Sequence, residues 1–390
     1  MDNKNLKVKI AGMLFVLLLL VSCKGGTNES GNASPVIPDI IASTAPASLE
    51  QAPSVSYSRE EQELLAFIDA QMTGPYGVYT NRMETAQSDG AATGHEVLSE
   101  SASLMMQSAV QRGERERFTL LWKQAAQTFD MKGGFSYRYS PKHGKQYSVN
   151  AAVDDLRLIG ALQAAGEKFQ ESGFTQAAEQ YGQRFYEHNV KNGYMYDFYD
   201  NIYMNTNKFI TLCYINLSVL RNLSIPSDSG GILLHNMTEI LEDGYISDQF
   251  PFYETRFDYE SGTYRSENIN TVESMLSLLH LAEAGRYNLQ SLRYIKQQVE
   301  AGTLYGQYTR DGVPVNDIRS TAIYALAAMI GRAAGDEDLY RRGIERMNEF
   351  RITDGTSPLF GGFGNAETGE AYSFDNLMAL TAYSYDRLID

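Results

Sequence analysis

Among the 48 acidic residues of this 390-residue chain, Glu100 has the surroundings that proton chemistry requires. It sits between Ser99 and Ser101, in a stretch whose other members are Val97, Leu98, Ala102, Leu104 and Met105. An acid in such company costs free energy unless it has a partner. Burial also lifts a carboxyl pKa, and a general acid must still hold its proton near neutral pH. Further acids stand near the starts of other small-residue helical patterns: Glu96, Asp154, Asp155, Glu267, Glu273, Asp317 and Asp375. Capping or dipole stabilisation is the expected role of Asp317 and Asp375.

Other chemistries find little support. No phosphate-binding Gly-x-x-x-x-Gly-Lys-Ser/Thr loop, His-Glu-x-x-His zinc site or Gly-x-Ser-x-Gly elbow occurs. Five His and two Cys do not furnish a transition-metal cluster, so neither metal nor cofactor is expected. His95, beside Gly94, is a candidate substrate contact, with a loop or packing role as the alternative. The net charge of -15 opposes nucleic acid, an anionic membrane surface and a polyanionic substrate by charge alone.

The acids must be positioned by something, and the hydrophobic pattern says what. From Arg59 onward, charged helical segments alternate with largely apolar ones at a spacing of roughly 50 to 60 residues. The charged segments are 59–71, 114–129, 175–189, 236–242, 289–300 and 336–350, each with apolar residues at i, i+3, i+4 spacing, as a half-exposed outer helix needs. The others are 95–110, 151–165, 207–220, 270–284, 318–334 and 374–389. They carry Ala, Ser, Leu, Met and Gly almost all round, as helices enclosed by other helices do. Six such hairpins predict an all-α fold, an (α/α)6 toroid, although an open solenoid has the same periodicity.

The linkers ahead of the inner segments combine aromatics with Gly: residues 134–139 with Tyr147, residues 194–199 with Tyr196 and Tyr199, residues 257–259 with Tyr264, and residues 305–308. Several read as short β-hairpins. All would lie at the end where inner helices begin, so much of the Tyr surplus, 26 against a single Trp, collects at one cleft mouth. Tyrosine offers a flat apolar face with a polar rim, suited to stacking on sugar rings. Packing of the hairpins onto one another is the competing use.

Residues 1–22 read as a lipoprotein signal peptide: Lys4, Lys7 and Lys9 precede an apolar run, and Leu20-Val21-Ser22-Cys23 matches a bacterial lipobox. Cys23 is the expected lipidation site, which makes the N-terminal lipid the only expected membrane contact, on the outer face of the cell membrane. Cys213 then has no disulfide partner and is expected as a small buried hydrophobe. Residues 23–58, with Pro35, Pro38, Pro46 and Pro53, read as a flexible tether. Residues 59–390 form the expected folded domain, acting as a monomer.

Residues 97–106, Val-Leu-Ser-Glu-Ser-Ala-Ser-Leu-Met-Met, resemble the acid-bearing segment of glycoside hydrolase family 8, in which a Ser-Glu-Gly opens an inner helix. Residues 151–158, Ala-Ala-Val-Asp-Asp-Leu-Arg-Leu, are similar in order and spacing to that family's Asp-rich segment. The resemblance is closest to divergent, lipid-anchored members that act on bacterial exopolysaccharides. It implies inverting hydrolysis of a β-linked polysaccharide, with Glu100 as general acid and a second carboxylate about 6.5 to 9.5 Å away as general base. Asp154 or Asp155 would hold the distorted sugar, and Tyr147, Tyr196, Tyr199 and Tyr264 would stack or bond hydroxyls.

The sequence departs from the family in two places. Ser101 replaces the usual Gly. The family's base segment, Tyr-Asp-Ala-x-Arg, is replaced by residues 264–271, Tyr-Arg-Ser-Glu-Asn-Ile-Asn-Thr, which puts Glu267 at the base position, Asp258 second, and leaves another acid open. Glu273 reads as one turn too deep. Two rival functions follow: a glycan-binding lipoprotein that has lost its base, and a polysaccharide lyase, which the acidic balance disfavours.

Overall fold

The computed structural model describes residues 58–385 apart from Asp89. The expected signal peptide, Cys23 and nearly all of the tether lie outside the described residues.

Six amphipathic helices form the outer layer: α1 (Arg59–Phe67), α3 (Arg115–Phe129), α5 (Ser172–Asn189), α7 (Ser227–Asp243), α9 (Leu289–Ala301) and α11 (Glu337–Asn348). Each buries one stripe, as α9 does with Ser291, Ile295 and Val299. The inner helices are α2 (Ser99–Gln111), α4 (Ala152–Lys168), α6 (Leu217–Arg221), α8 (Thr271–Glu283), α10 (Thr321–Ala333) and α12 (Ser373–Ser384). In α10 every residue from Thr321 to Gly331 is buried. Each Ile, Leu or Met enclosed this way contributes about 1.5–3 kcal/mol. Small residues set the spacing: a Cβ on Gly343 of α11 would collide with the backbone of Ala328 on α10.

The ring closes. Helix α2 packs on α4, α4 on α6, α6 on α8, α8 on α10, α10 on α12, and α12 returns to α2. This is the expected (α/α)6 toroid rather than an open solenoid. Met105, Met106, Met275 and Met378 are core residues, as their spacing implies.

The third inner segment differs from the expected helix over 207–220. It is a strand, Phe209–Thr211, a 3-10 turn, Leu212–Tyr214, and then the five-residue α6. Ile210, Thr211, Tyr214 and Ile215 are β-branched or aromatic and favour extended backbone. Asn216 then restarts the helix by accepting the Val219 N–H. The first inner helix starts at Ser99 rather than His95 because Val97–Leu98 pair with Tyr139 and Arg138 as strand. Helix α7 begins earlier than the expected 236, since Ser227-Asp228-Ser229-Gly230-Gly231 reads as loop by composition yet winds into helix.

Hairpins stand at three of the four expected linkers; in the fourth, Gln307–Tyr308 pairs instead with Ile269–Asn270 ahead of α8. Helices α3 and α5 run directly into the strand pairs Asp130–Met131 with Gly134–Phe135 and Val190–Lys191 with Tyr194–Met195. Further pairs are Arg138–Ser140 with Lys145–Gln146, Tyr199–Asp200 with Asn205–Thr206, and Arg256–Asp258 with Thr263–Arg265. Because outer helices end and inner helices begin at this end, the hairpins rim a single mouth.

Candidate active site

First-turn residues of the inner helices line the floor of that mouth. A cavity of about 920 Å³, counting its open entrance, is walled by Glu100 from α2, Asp154 and Arg157 from α4, Cys213 and Tyr214 from the 3-10 turn, Leu276 from α8 and Ser373 from α12. The loop around Gly90, Ala91 and Ala92 closes one side. A second cavity of about 1460 Å³ lies along the α8 side and includes Tyr264, Glu267, Glu273, Arg256 and Arg310.

Glu100 is half-buried on the cavity wall. Burial, then repulsion from Asp154, pushes its pKa up to about 8, with Arg157 opposing. No hydrogen bond or ion pair to its carboxylate occurs among the described residues. Asp154 is differently placed: it accepts from Ser99 Oγ at 2.8 Å and from Arg157 Nη1 at 3.1 Å. Burial still raises its pKa, against the pull of Arg157.

Asp155 faces away from the cavity. Its carboxylate accepts from Asn150 Nδ2 at 2.7 Å and the Phe135 N–H at 3.2 Å, tying α4 to the hairpin beside it. That contact explains Gly134, which has φ +136° and where a Cβ would be driven into the Asp155 carboxylate. Of the adjacent pair, Asp154 is the one at the cavity.

The expected base residues separate as well. Asp258 closes the turn between its two strands, accepting from the N–H groups of Ser261 at 2.8 Å and Glu260 at 3.1 Å and from Ser261 Oγ at 2.9 Å. These bonds hold its pKa down. Glu267 is exposed at the edge of the second cavity. Glu273 is half-buried in the first turn of α8, and burial, then repulsion from Asp197, lifts its pKa to about 7 while Arg256 opposes. Like Glu100, its carboxylate has no hydrogen-bond or ion-pair partner among the described residues.

Asp197, which the sequence did not single out, accepts from the Thr211 N–H and Oγ1, both at 2.6 Å, and burial pushes its pKa up to about 7. Its signal was an acid inside a Tyr-rich linker, Tyr196-Asp197-Phe198-Tyr199. Tyr214 stands within electrostatic reach of Asp197, Asp154 and Glu273, so the 3-10 turn joins the two halves of the cleft.

Of the four expected tyrosines, Tyr264 lines a cavity, and its hydroxyl donates to the Ile240 carbonyl at 2.7 Å. Tyr199 is buried against His188, Tyr196 packs on Tyr259, and Tyr147 lies edge-on to Tyr137 between Arg138 and Lys145. Tyr137, Tyr214 and Tyr372 line the acid-bearing cavity instead. His95 stacks on Tyr79 and bonds the Arg82 carbonyl at 3.1 Å, a loop role away from the cavity. Asp375 accepts the Ala322 N–H at 3.0 Å, so it caps the neighbouring α10 rather than its own helix. Cys213 is buried and free, and no cluster of three metal-ligating side chains occurs among the described residues.

A toroid with carboxyls gathered at the first turns of its inner helices is the architecture of a glycoside hydrolase, and comparison with known proteins agrees. A solved protein described as a novel alpha-amylase from Clostridium perfringens is 30% identical, with a TM-score of 0.79 over 86% of this chain and 99% of that one. YdaJ of Bacillus subtilis (strain 168), named as a candidate lipoprotein, is 26% identical over 293 residues, 73% of this chain and 78% of that protein. Endoglucanase Cel10 of Klebsiella pneumoniae, a family 8 glycosyl hydrolase, shares the fold at 14% identity, with a TM-score of 0.58 over 84% of this chain and 99% of that one. No family model matches the chain. At 30% identity across nearly all of the Clostridium protein, this chain belongs to that protein's family, and with the fold of the family 8 enzymes it is a glycoside hydrolase of the family 8 type. The resemblance carried by residues 97–106 and 151–158 is borne out.

Proposed function

We propose that the protein is a cell-surface glycosidase, tethered through a lipidated Cys23 and acting as a monomer, that cleaves an exopolysaccharide by single displacement between Glu100 and Glu273. One observation carries the pairing: among the described residues these are the two half-buried carboxyls, one in each cavity, with no hydrogen-bond or ion-pair partner, whereas Asp154, Asp155, Asp197 and Asp258 are each held by donors.

Position supports it. Helices α2 and α8 stand opposite one another in the six-membered ring, and Leu276, one turn beyond Glu273, lines the cavity that holds Glu100. With neighbouring axes about 8–10 Å apart, opposite axes in such a ring are roughly 16–20 Å apart. Two glutamates each reaching about 6 Å from their axes leave a gap on the order of 4–8 Å, whose upper part overlaps the separation that admits a water.

Glu100 protonates the leaving oxygen as the glycosidic bond breaks. Glu273 takes a proton from water on the other face of the sugar, and that water's oxygen bonds to the anomeric carbon. Asp154, fixed by Ser99 and Arg157, holds a sugar hydroxyl at the cleavage position. Tyr137, Tyr214 and Tyr372 supply ring faces and hydroxyls. Glu267 is the base of the competing arrangement, at the mouth rather than in the first turn.

A β-linked polymer, neutral or bearing amino sugars, follows the family 8 resemblance and suits an acid-lined cleft. A second reading, an α-linked glucan, is favoured by the description of the Clostridium protein. Release of reducing ends by residues 58–390, which contain the whole closed ring, is expected from one member of a panel of exopolysaccharide, β-glucan, xylan, amino-sugar polymer and amylose. Glu100→Gln should cut that rate by 10²–10⁴-fold. Binding without release from any of them would point to the glycan-binding lipoprotein instead.

A further inference from the structure

The hairpin of strands Tyr199–Asp200 and Asn205–Thr206 presents three consecutive apolar side chains to solvent. Ile202, Tyr203 and Met204 are 71%, 54% and 68% exposed. The turn is held rigidly. Asp200 Oδ1 accepts the N–H groups of Ile202 at 2.8 Å and Tyr203 at 3.2 Å, and Asn201 bonds both the Gly133 N–H and the Ser148 carbonyl. Met204 has φ +54°, a left-handed conformation that a methionine adopts at a cost. An aliphatic residue held there in water does nothing for the fold.

Cations flank this tip. Eight lysines lie between Ser58 and Tyr385: Lys132 and Lys191 are exposed beside the tip, and Lys142 and Lys145 are exposed on the preceding hairpin, whose chain continues to Ser148, a partner of Asn201. Lys132 adjoins Gly133, which bonds the tip, and Lys191 Nζ donates to Thr206 Oγ1 on its second strand at 2.8 Å. Of the nearby acids, Asp130 is ion-paired with Arg184, while Asp200, bonded by the turn, and Glu187, bonded by Gln183, keep their charge. Four lysines against the two carboxylates that no cation neutralises leave this edge net positive in a chain of net charge -15.

Apolar side chains at a rigid tip, a tyrosine among them, flanked by lysines, match the depth profile of an anionic bilayer surface, with acyl chains beneath and phosphates above. We propose that this hairpin edge docks on anionic phospholipid as a second membrane contact beyond the N-terminal lipid. The described chain begins at Ser58, at the end of the ring away from the hairpins. The 34 residues from Lys24 to Tyr57 can span at most roughly 110–120 Å, several times the length of a ring helix, so a lipidated Cys23 is compatible with the docked hairpin. The contact does not depend on the hydrolytic reading.

The test is co-sedimentation of residues 58–390 with vesicles of phosphatidylglycerol mixed into phosphatidylcholine, beside vesicles of phosphatidylcholine alone. Binding is expected to the mixed vesicles only, and to weaken at 1 M salt, where screening shortens to about 3 Å. Replacing Ile202, Tyr203 and Met204 together by Ser should reduce partitioning more than tenfold. Lys132→Gln with Lys191→Gln should each cost about fivefold and provides a variant that leaves the turn intact. An unchanged thermal midpoint shows that each variant is folded. Failure of the parent to sediment with mixed vesicles, or equal binding by both variants, overturns the proposal. So does retardation in a gel of acidic polysaccharide through these residues without vesicle binding.

Discussion

Glu100 and Glu273 combine partial burial with carboxylates that no neighbouring donor satisfies, and both consequences are measurable. Glu273 must be ionised to accept a proton and Glu100 must be protonated to donate one. Activity should therefore fall as pH drops through about 7 and again as it rises through about 8, giving a narrow bell in kcat/KM. The same burial destabilises the fold. Glu100 moves from 4.5 to about 8, so its ionised form is disfavoured in the folded state. The penalty is absent below pH 4.5 and grows as pH rises towards 8. Discounted for its half-exposure, Glu100→Gln should stabilise the protein by about 1–3 kcal/mol at pH 8 and by nothing at pH 4, read as a calorimetric midpoint. Glu100 was legible in the sequence because a lone acid interrupts an apolar run. Glu273 reads as one turn too deep when its depth is judged from the family's base segment. Its register as third residue of an inner helix, shared with Asp154 in α4, is what brings it to a cavity wall.

At the scale of elements, the hairpins do more than decorate the mouth. Arg138, fully buried, donates to both oxygens of Glu96, at 2.8 and 2.7 Å, and to the carbonyls of Ser88 and Gly90. This latch fixes the loop that walls the Glu100 cavity. Arg138→Leu strands the Glu96 carboxylate and should cost about 3–5 kcal/mol, with most of it recovered when Glu96→Leu is added, as urea titrations would show. The outer and inner helices were readable because a 3.6-residue stripe and an all-round apolar surface are distinct patterns. The broken third inner helix was not, since its apolar residues satisfy helical and strand periods equally and only the β-branched run with Asn216 separates them.

For the molecule as a whole, closure of α12 on α2 converts six hairpins into a ring whose opposite walls face each other, and a two-carboxylate mechanism needs that. A periodic sequence cannot report closure, because a solenoid and a toroid share every local pattern. The tyrosines divided for a related reason: their concentration at one mouth was readable, but which of them faces the cavity depends on how neighbouring hairpins pack. The central claim is that α8 supplies the second carboxylate through Glu273. Its most direct test is the pH dependence of hydrolysis by Glu273→Gln beside Glu267→Gln on the cleaved polymer. The arrangement predicts a 10²–10⁴-fold loss and disappearance of the acidic limb for Glu273→Gln, with less than about tenfold change for Glu267→Gln. An acidic limb that survives in Glu273→Gln but vanishes in Glu267→Gln would contradict it.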